Sequence, residues 1–242
     1  MATPNVPSNS QVHKAGKTLR AFLNADQTDS DYEELLHAVA GALDTLVDWR
    51  AAHAVPLQSA TMGLRSRVAT AKCVDIWNVS QRLKRIPTIL DKLSREPTMN
   101  LSRMADIGGC RAVLRDVDEI RAVQKRYEGS GKVVKIRDYI EAPKASGYRA
   151  VHIIVDYSGR KIEVQLRTQV MHEWAYTVEQ FTTRIGQDVK SGRGPAPVQD
   201  WFQAVSEAMA IEEKGLTVDA IMTTRISRLR EEAMPYLRGG QR

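Results

Sequence analysis

Cysteine is scarce in this sequence, and that removes several classes of protein. Cys73 and Cys110 are the only two in 242 residues. They make neither a disulfide framework nor a metal-ligand spacing, and Cys110, inside an apolar run, reads as a small core residue. No apolar stretch approaches the ~18–20 residues that a membrane span needs. The opening MATPNVPSNSQ is polar and carries no signal-peptide core. Internal repeats, low-complexity tracts and long heptads are also missing. A reducing, cytoplasmic location is the expectation.

What is present suits a globular protein. At 43% apolar residues, the chain can bury a core as one large domain or two small ones. Lys and Arg exceed Asp and Glu by 35 to 29. A modest positive balance fits polyphosphate or nucleic acid, and it is also common without either.

The patterning divides the chain into a disordered tail at 1–12, a helical region at 13–70, a mixed core at 71–190 and helices at 191–242. A short basic helix is expected over 13–24. Ser30 and Glu33 read as a capping box for a helix with Leu35, Val39, Leu43, Leu46 and Val47 on one stripe. Beyond Pro56 a second helix, carrying Met62, Leu64, Val68, Val74, Ile76 and Trp77, is expected to reach about Leu83. Pro87 fits the start of a short helix, with Lys92 on its first turns. Gly108 and Gly109 lead into a strand through Leu114. Asp116 and Glu119 then open a helix that ends at Gly129 and Gly131, and a strand follows over Val133–Ile136. Met171, Trp174, Val178 and Phe181 mark a further helix. SGRGPAP at 191–197 is a breaker, with two helices after it. Helices around one small mixed sheet, an α/β (α+β) fold, are the predicted architecture.

The chemistry concentrates in residues 137–173. Two strand-like runs meet at the turn dipeptide Ser158-Gly159. In the second, Ile162, Val164 and Leu166 alternate with Glu163, Gln165 and Arg167, so a carboxylate, an amide and a guanidinium share one face. In the first, His152 shares its face with Ile154 and Asp156. Such a face either lines a site or is solvated. The basic run Arg82, Lys84, Arg85, Lys92 and Arg95 has the same two readings.

Four segments, QRLKRIPTILDK, ADIGGCRAVL, RDYIEAPKASGYRAVH and IEVQLRTQVMHEWA, taken together resemble the synthetase domain of the RelA/SpoT family. The resemblance covers roughly residues 75–185. It implies that fold, which is nucleotidyltransferase-like, and transfer of the β,γ-pyrophosphate of ATP to a 3′-hydroxyl, usually of GDP or GTP. Arg82 and Arg111 match the arginines that sandwich adenine, a task suited to guanidinium planes. Lys84 and Lys92 match residues on the ATP phosphates. Asp106 and Glu163 match the acidic pair at Mg²⁺, and Glu163 is also the candidate for activating the acceptor hydroxyl. Tyr148 matches the residue that stacks on the acceptor base. Lys144 and His152 match acceptor contacts, and Gln165 and Arg167 belong to the same strand. Plainer readings exist for each: Tyr148 as a core tyrosine, Asp106 as a turn cap, His172 and Glu173 as bracing residues, and Trp174 as core.

Departures from the family pattern matter as well. None of the five histidines is followed by Asp, so the hydrolase signature is missing and a short, synthetase-only member is expected. Ser146 stands where many relatives have asparagine beside the stacking tyrosine. Residues 49–65 and the stretch from Lys190 resemble a branch that includes toxins of toxin–antitoxin and phage-defence systems, some of which modify the 3′-CCA end of tRNA. That branch implies a tRNA acceptor, an antitoxin partner and a basic track, for which Lys14, Lys17, Arg20, Arg184, Lys190 and Arg193 are the candidates.

Overall fold

In a computed structural model, residues 6–26, 28, 32–73, 79–185, 189 and 194–238 are described. The alternation seen in the sequence produces a hairpin of β4 (Val151–Tyr157) and β5 (Arg160–Thr168), turned at Ser158 and Gly159, whose φ angles are 55° and 74°. Positive φ at both central residues gives the turn the twist that suits paired strands. Outside this hairpin lie β1 (Val79–Leu83), β2 (Gly108–Leu114) and β3 (Val133–Asp138). The five strands are ordered β1-β2-β5-β4-β3. Among the described residues β2 and β5 run parallel and the other pairings are antiparallel.

One face of the sheet is a conventional core. Cys110, Ala112, Val151, Ile153, Ile162, Val164 and Leu166 pack there against Leu57, Ala60, Leu64 and Val68 of α3 (Ala54–Thr70) and Ile120, Val123 and Tyr127 of α5 (Val117–Glu128). Each fully buried aliphatic side chain contributes about 1.5–3 kcal/mol. The opposite face carries Arg82, Arg111, Glu163, Gln165, Arg167 and His152, so the polar strand face lines a site.

Helices outside the sheet frame that face from two ends. A hairpin of α1 (Asn9–Asn24) and α2 (Tyr32–Ala51) packs Val12, Leu19, Leu46 and Trp49 on Ile89 and Leu93 of α4 (Ile86–Arg95). At the other end α6 (Gln169–Ile185), α7 (Ala196–Glu212) and α8 (Ala220–Arg238) enclose Tyr148, Trp174, Val178, Phe202, Ala233 and Leu237. Among the described residues no helix is long and apolar enough to cross a membrane.

Several expectations are corrected. The helix after Pro56 stops at Thr70, where Lys72 turns the chain with φ 59°, and Val79–Leu83 pairs with β2 as a strand. Val74, Ile76 and Trp77 lie outside the described residues. Pairing along the sheet edge overrides the apparent helical stripe there. The first helix begins at Asn9, not after residue 12, because Ser8 and Gln11 form a reciprocal capping box. The expected box at Ser30 lies outside the described residues, and the buried stripe of α2 is Ala42, Leu46 and Trp49, with Val47 exposed. Lys92 sits in the last turn of α4, where a cation is favoured by the helix dipole. The Asp116 cap is as expected: its carboxylate accepts from the Glu119 amide at 2.9 Å.

Candidate active site

The register sets out the site in two rows. Across β1, β2, β5 and β4, one row reads Arg82, Gly109, Glu163, Ile154. The next reads Ser80, Arg111, Gln165, His152, with Arg137 of β3 beside His152. Gly109 leaves the space between Arg82 and Glu163 clear, since a Cβ there would meet nothing nearer than the Glu163 carbonyl at 3.5 Å.

At the β1–β2 end, Asp106 lies in the turn that feeds β2. Its Oδ2 accepts from Lys84 Nζ at 2.8 Å and from Lys92 Nζ at 3.1 Å. Its Oδ1 is buried with no hydrogen-bond partner. Burial opposes the charge of this carboxylate, but the two lysines outweigh it and hold the group below its ordinary range. The N-terminal helices fix both lysines. Arg50 Nε donates to the Lys84 carbonyl at 2.7 Å, and Arg20 donates to the carbonyls of Leu93 and Met99. Arg82 is exposed. Arg111 is half-buried, its Nε has no partner, and burial with the nearby Arg167 and Arg82 charges lowers its pKa. His172 stands beside this cationic group; burial, Arg111 and Arg167 lower its pKa, and its buried Nδ1 has no partner. A polyphosphate would relieve this crowding of like charge.

The β5–β4 end is a closed ring of hydrogen bonds. Arg167 donates to the Tyr148 hydroxyl at 2.8 Å and to the Gln165 side-chain oxygen at 2.8 Å. Gln165 donates to Glu163 Oε2 at 2.6 Å, and His152 Nδ1 donates to Glu163 Oε1 at 2.9 Å. The ring closes where the Tyr148 hydroxyl meets His152 Nε2 at 2.6 Å. Burial works against the Glu163 charge, yet His152, Gln165 and Lys92 pull its pKa down to about 2. Glu163 is therefore an ionised carboxylate throughout the neutral range, able to bind a cation and accept a hydroxyl hydrogen bond.

Tyr148 itself departs from the expectation. Its side chain is 1% exposed, and burial pushes the phenol up to about 12. Tyr139, His152 and Trp174 pack around the ring, and Arg167 and Lys144 lie over it at 5.1 Å each. The conformation seen here presents no open face to a nucleobase, because the C-terminal helices enclose the aromatic cluster. Lys144, by contrast, is exposed. It borders a cavity of about 1010 Å³ between α5, residues 140–149 and α7 that neither Asp106 nor Glu163 lines.

Asp106 offers a buried oxygen with no hydrogen-bond partner, and Glu163 is close enough for its charge to bear on Asp106. Among the described residues no group of three or more His, Cys, Asp or Glu could hold an ion by itself. Two carboxylates with the remaining positions left to phosphates and water fit Mg²⁺ rather than a soft metal.

The structure thus brings Arg82, Lys84, Lys92, Asp106, Arg111, His152, Glu163, Gln165 and Arg167 to one sheet face. Glu173 is exposed and bonded to Gln169, away from the ring. Of the expected basic track, Arg20 is removed by its backbone bonds, and Lys14 and Lys17 are exposed on α1. Lys190, Arg193 and the Arg184 side chain lie outside the described residues. Sequence reasoning missed Arg50, Arg149, Ser206 and Glu213, which act through partners 34 to 64 positions away and leave no periodic signal.

Residues 81–182 match a family model described as a region found in RelA / SpoT proteins. The chain is 34% identical over 142 residues to the GTP pyrophosphokinase YjbM of Bacillus subtilis, covering 54% of this chain and 65% of that one. It is 28% identical over 160 residues to the GTP pyrophosphokinase YwaC of the same organism, covering 59% and 73%. The alignment thus spans just under two thirds of the first relative. The crystal structure of small alarmone synthetase 2 from Bacillus subtilis superimposes with a TM-score of 0.55 at 22% identity, over 69% of this chain and 95% of that one, which establishes the shared fold.

Proposed function

We propose, from the match of residues 81–182 to a region found in RelA / SpoT proteins, that the protein is an ATP-dependent pyrophosphokinase that transfers the β,γ-pyrophosphate of ATP to the 3′-hydroxyl of GDP or GTP. The observation that carries this reading is Asp106: a carboxylate held charged between two lysines, one buried oxygen unpartnered, on the face that Glu163 shares. Arg82 and Arg111 offer two guanidinium planes for adenine. Lys84 and Lys92 neutralise phosphate charge as it shifts toward the leaving group. Asp106 and Glu163 would hold Mg²⁺, which would supply further charge neutralisation on the transferred phosphates. Lys144 and His152 serve the acceptor side.

In the reaction, the acceptor hydroxyl oxygen forms a bond to the β-phosphorus. The bond from that phosphorus to the α,β-bridging oxygen breaks, and AMP leaves with the electron pair. Glu163 accepts the hydroxyl hydrogen bond and takes the proton as the new bond forms, then releases it to solvent. A carboxylate this acidic keeps no proton at neutral pH, so its part is to align the hydroxyl and pass the proton on.

One observation favours a second acceptor. Ser146, which by the resemblance stands where many relatives have asparagine, is buried and offers no amide edge to guanine. The 3′-CCA end of tRNA is that alternative; such a protein would act as a translation toxin restrained by an antitoxin. The test supplies Mg²⁺ and γ-labelled ATP with GDP, GTP, ATP, AMP or deacylated tRNA. Label on a guanosine nucleotide is the expected outcome. Label on tRNA alone replaces the acceptor and keeps the chemistry; no transfer to any of them overturns the reading.

A further inference from the structure

Helix α7 lies outside the matched region, yet it grips the acceptor loop at three points. Ser206 Oγ donates to the Gly147 carbonyl at 2.5 Å. Gly147 has a φ of 85°, and a Cβ there would come within 3.0 Å of the Gln203 Cα and the Ser206 Cβ, so helix and loop backbones touch. At the end of α7, Glu213 pairs with Arg149 at 2.5 Å, both side chains being 8% exposed, and also accepts from the Thr168 hydroxyl. Arg149 follows Tyr148 in the chain, and Thr168 follows Arg167. Glu213 therefore joins the two backbone positions next to the ring members Tyr148 and Arg167.

We propose that Glu213 and Ser206 are positioning residues for the acceptor, which hold residues 147–149 against the end of β5 and so fix the ring that orients Glu163 and His152. The inference rests on the pyrophosphokinase reading for its kinetic consequence, but not for its structural one. Loosening the clamp lets Tyr148 and Arg167 move relative to each other. The donor edge, braced by α1 and α2 through Arg20 and Arg50, shares none of these contacts.

The experiment compares Glu213→Gln and the milder Ser206→Ala with the unaltered chain in three readouts. These are the KM for the acceptor that the labelling assay identifies, the affinity for ATP by equilibrium binding, and the rate of tryptic cleavage after the exposed Lys144 by mass spectrometry. The expected result is an acceptor KM raised about tenfold or more, with ATP affinity within about twofold and faster cleavage after Lys144. If Glu213→Gln does not fold, Ser206→Ala gives the same readings at smaller size. Unchanged acceptor KM and unchanged cleavage overturn the proposal, and so does a parallel loss of ATP affinity and acceptor KM, which a general loss of structure would give. A chain that transfers pyrophosphate to nothing refutes the functional reading instead; the cleavage rate then decides the clamp alone.

Discussion

The two ends of the site differ in how far their polar groups are already satisfied. At the β1–β2 end, Arg82 is exposed, and Arg111 Nε and Asp106 Oδ1 have no partner. At the β5–β4 end, Glu163, Gln165, His152 and Tyr148 bond to one another in a closed ring, with Arg167 spending one guanidinium nitrogen on it while its buried Nε has no partner. Buried polar groups without partners are costly. On the proposed reading the first end stands open to ATP, whereas the second has satisfied all but Arg167 Nε internally and must exchange internal bonds for acceptor bonds. The bracing follows the same division: α1 and α2 hold the first through Arg20 and Arg50, and α7 holds the second through Ser206 and Glu213.

Substitutions separate the ends, beginning where both meet. Asp106→Asn and Glu163→Gln each remove a charge at the proposed metal and reaction centre. Each should lower kcat by about 10²–10³-fold or more. Steady-state rates measure this, and near-normal turnover by Glu163→Gln would remove it from the chemistry. Next in size are Arg82→Lys and Arg111→Lys, which keep the charge and lose the plane. About a tenfold rise in the KM for ATP is expected, with the acceptor KM little changed. Equal changes in both constants would erase the distinction between the ends.

Tyr148→Phe tests the closed ring. It keeps the aromatic packing but leaves the Arg167 donor and the His152 nitrogen without their shared partner. Thermal or urea unfolding should show a loss of about 1–2 kcal/mol, with ATP affinity unaltered. A stability equal to the parent's would mean that the ring contributes little to holding this end shut.

A further effect is in acid. The Glu163 pKa lies near 2 in the folded chain against 4.5 ordinarily, and Asp106 is depressed as well. Depressed folded pKa values mean that the unfolded chain binds more protons in this window, so stability is fully present above about 4.5 and is lost as pH falls toward about 2. Urea midpoints between those limits should fall less steeply for Glu163→Gln than for the parent; parallel slopes would show that Glu163 is not held so acidic.

Much of this was legible in the sequence where the information is local. The period-two pattern at 162–167 placed Glu163, Gln165 and Arg167 on one face, and the four motifs named the residues of the β1–β2 end. The strand Val79–Leu83 reads as helix in the sequence because its pairing partner lies far along the chain. Tyr148 was identified as a member of the site but not as a buried one, since what encloses it comes from α6 to α8. Ser206 and Glu213 carry no motif at all; their effect arises only when α7 meets the loop at 147–149.

The most direct test of the difference between the ends is amide hydrogen exchange, followed in peptides spanning 82–92 and 139–149. The chain would be given an ATP analogue with a methylene group between its α- and β-phosphorus atoms, then the acceptor nucleotide, then both, with Mg²⁺ throughout. The expected result is that the analogue alone protects 82–92 and leaves 139–149 as it was, and that 139–149 changes only when the acceptor is added. A full response of 139–149 to the analogue alone, or acceptor binding with no change there, would contradict it.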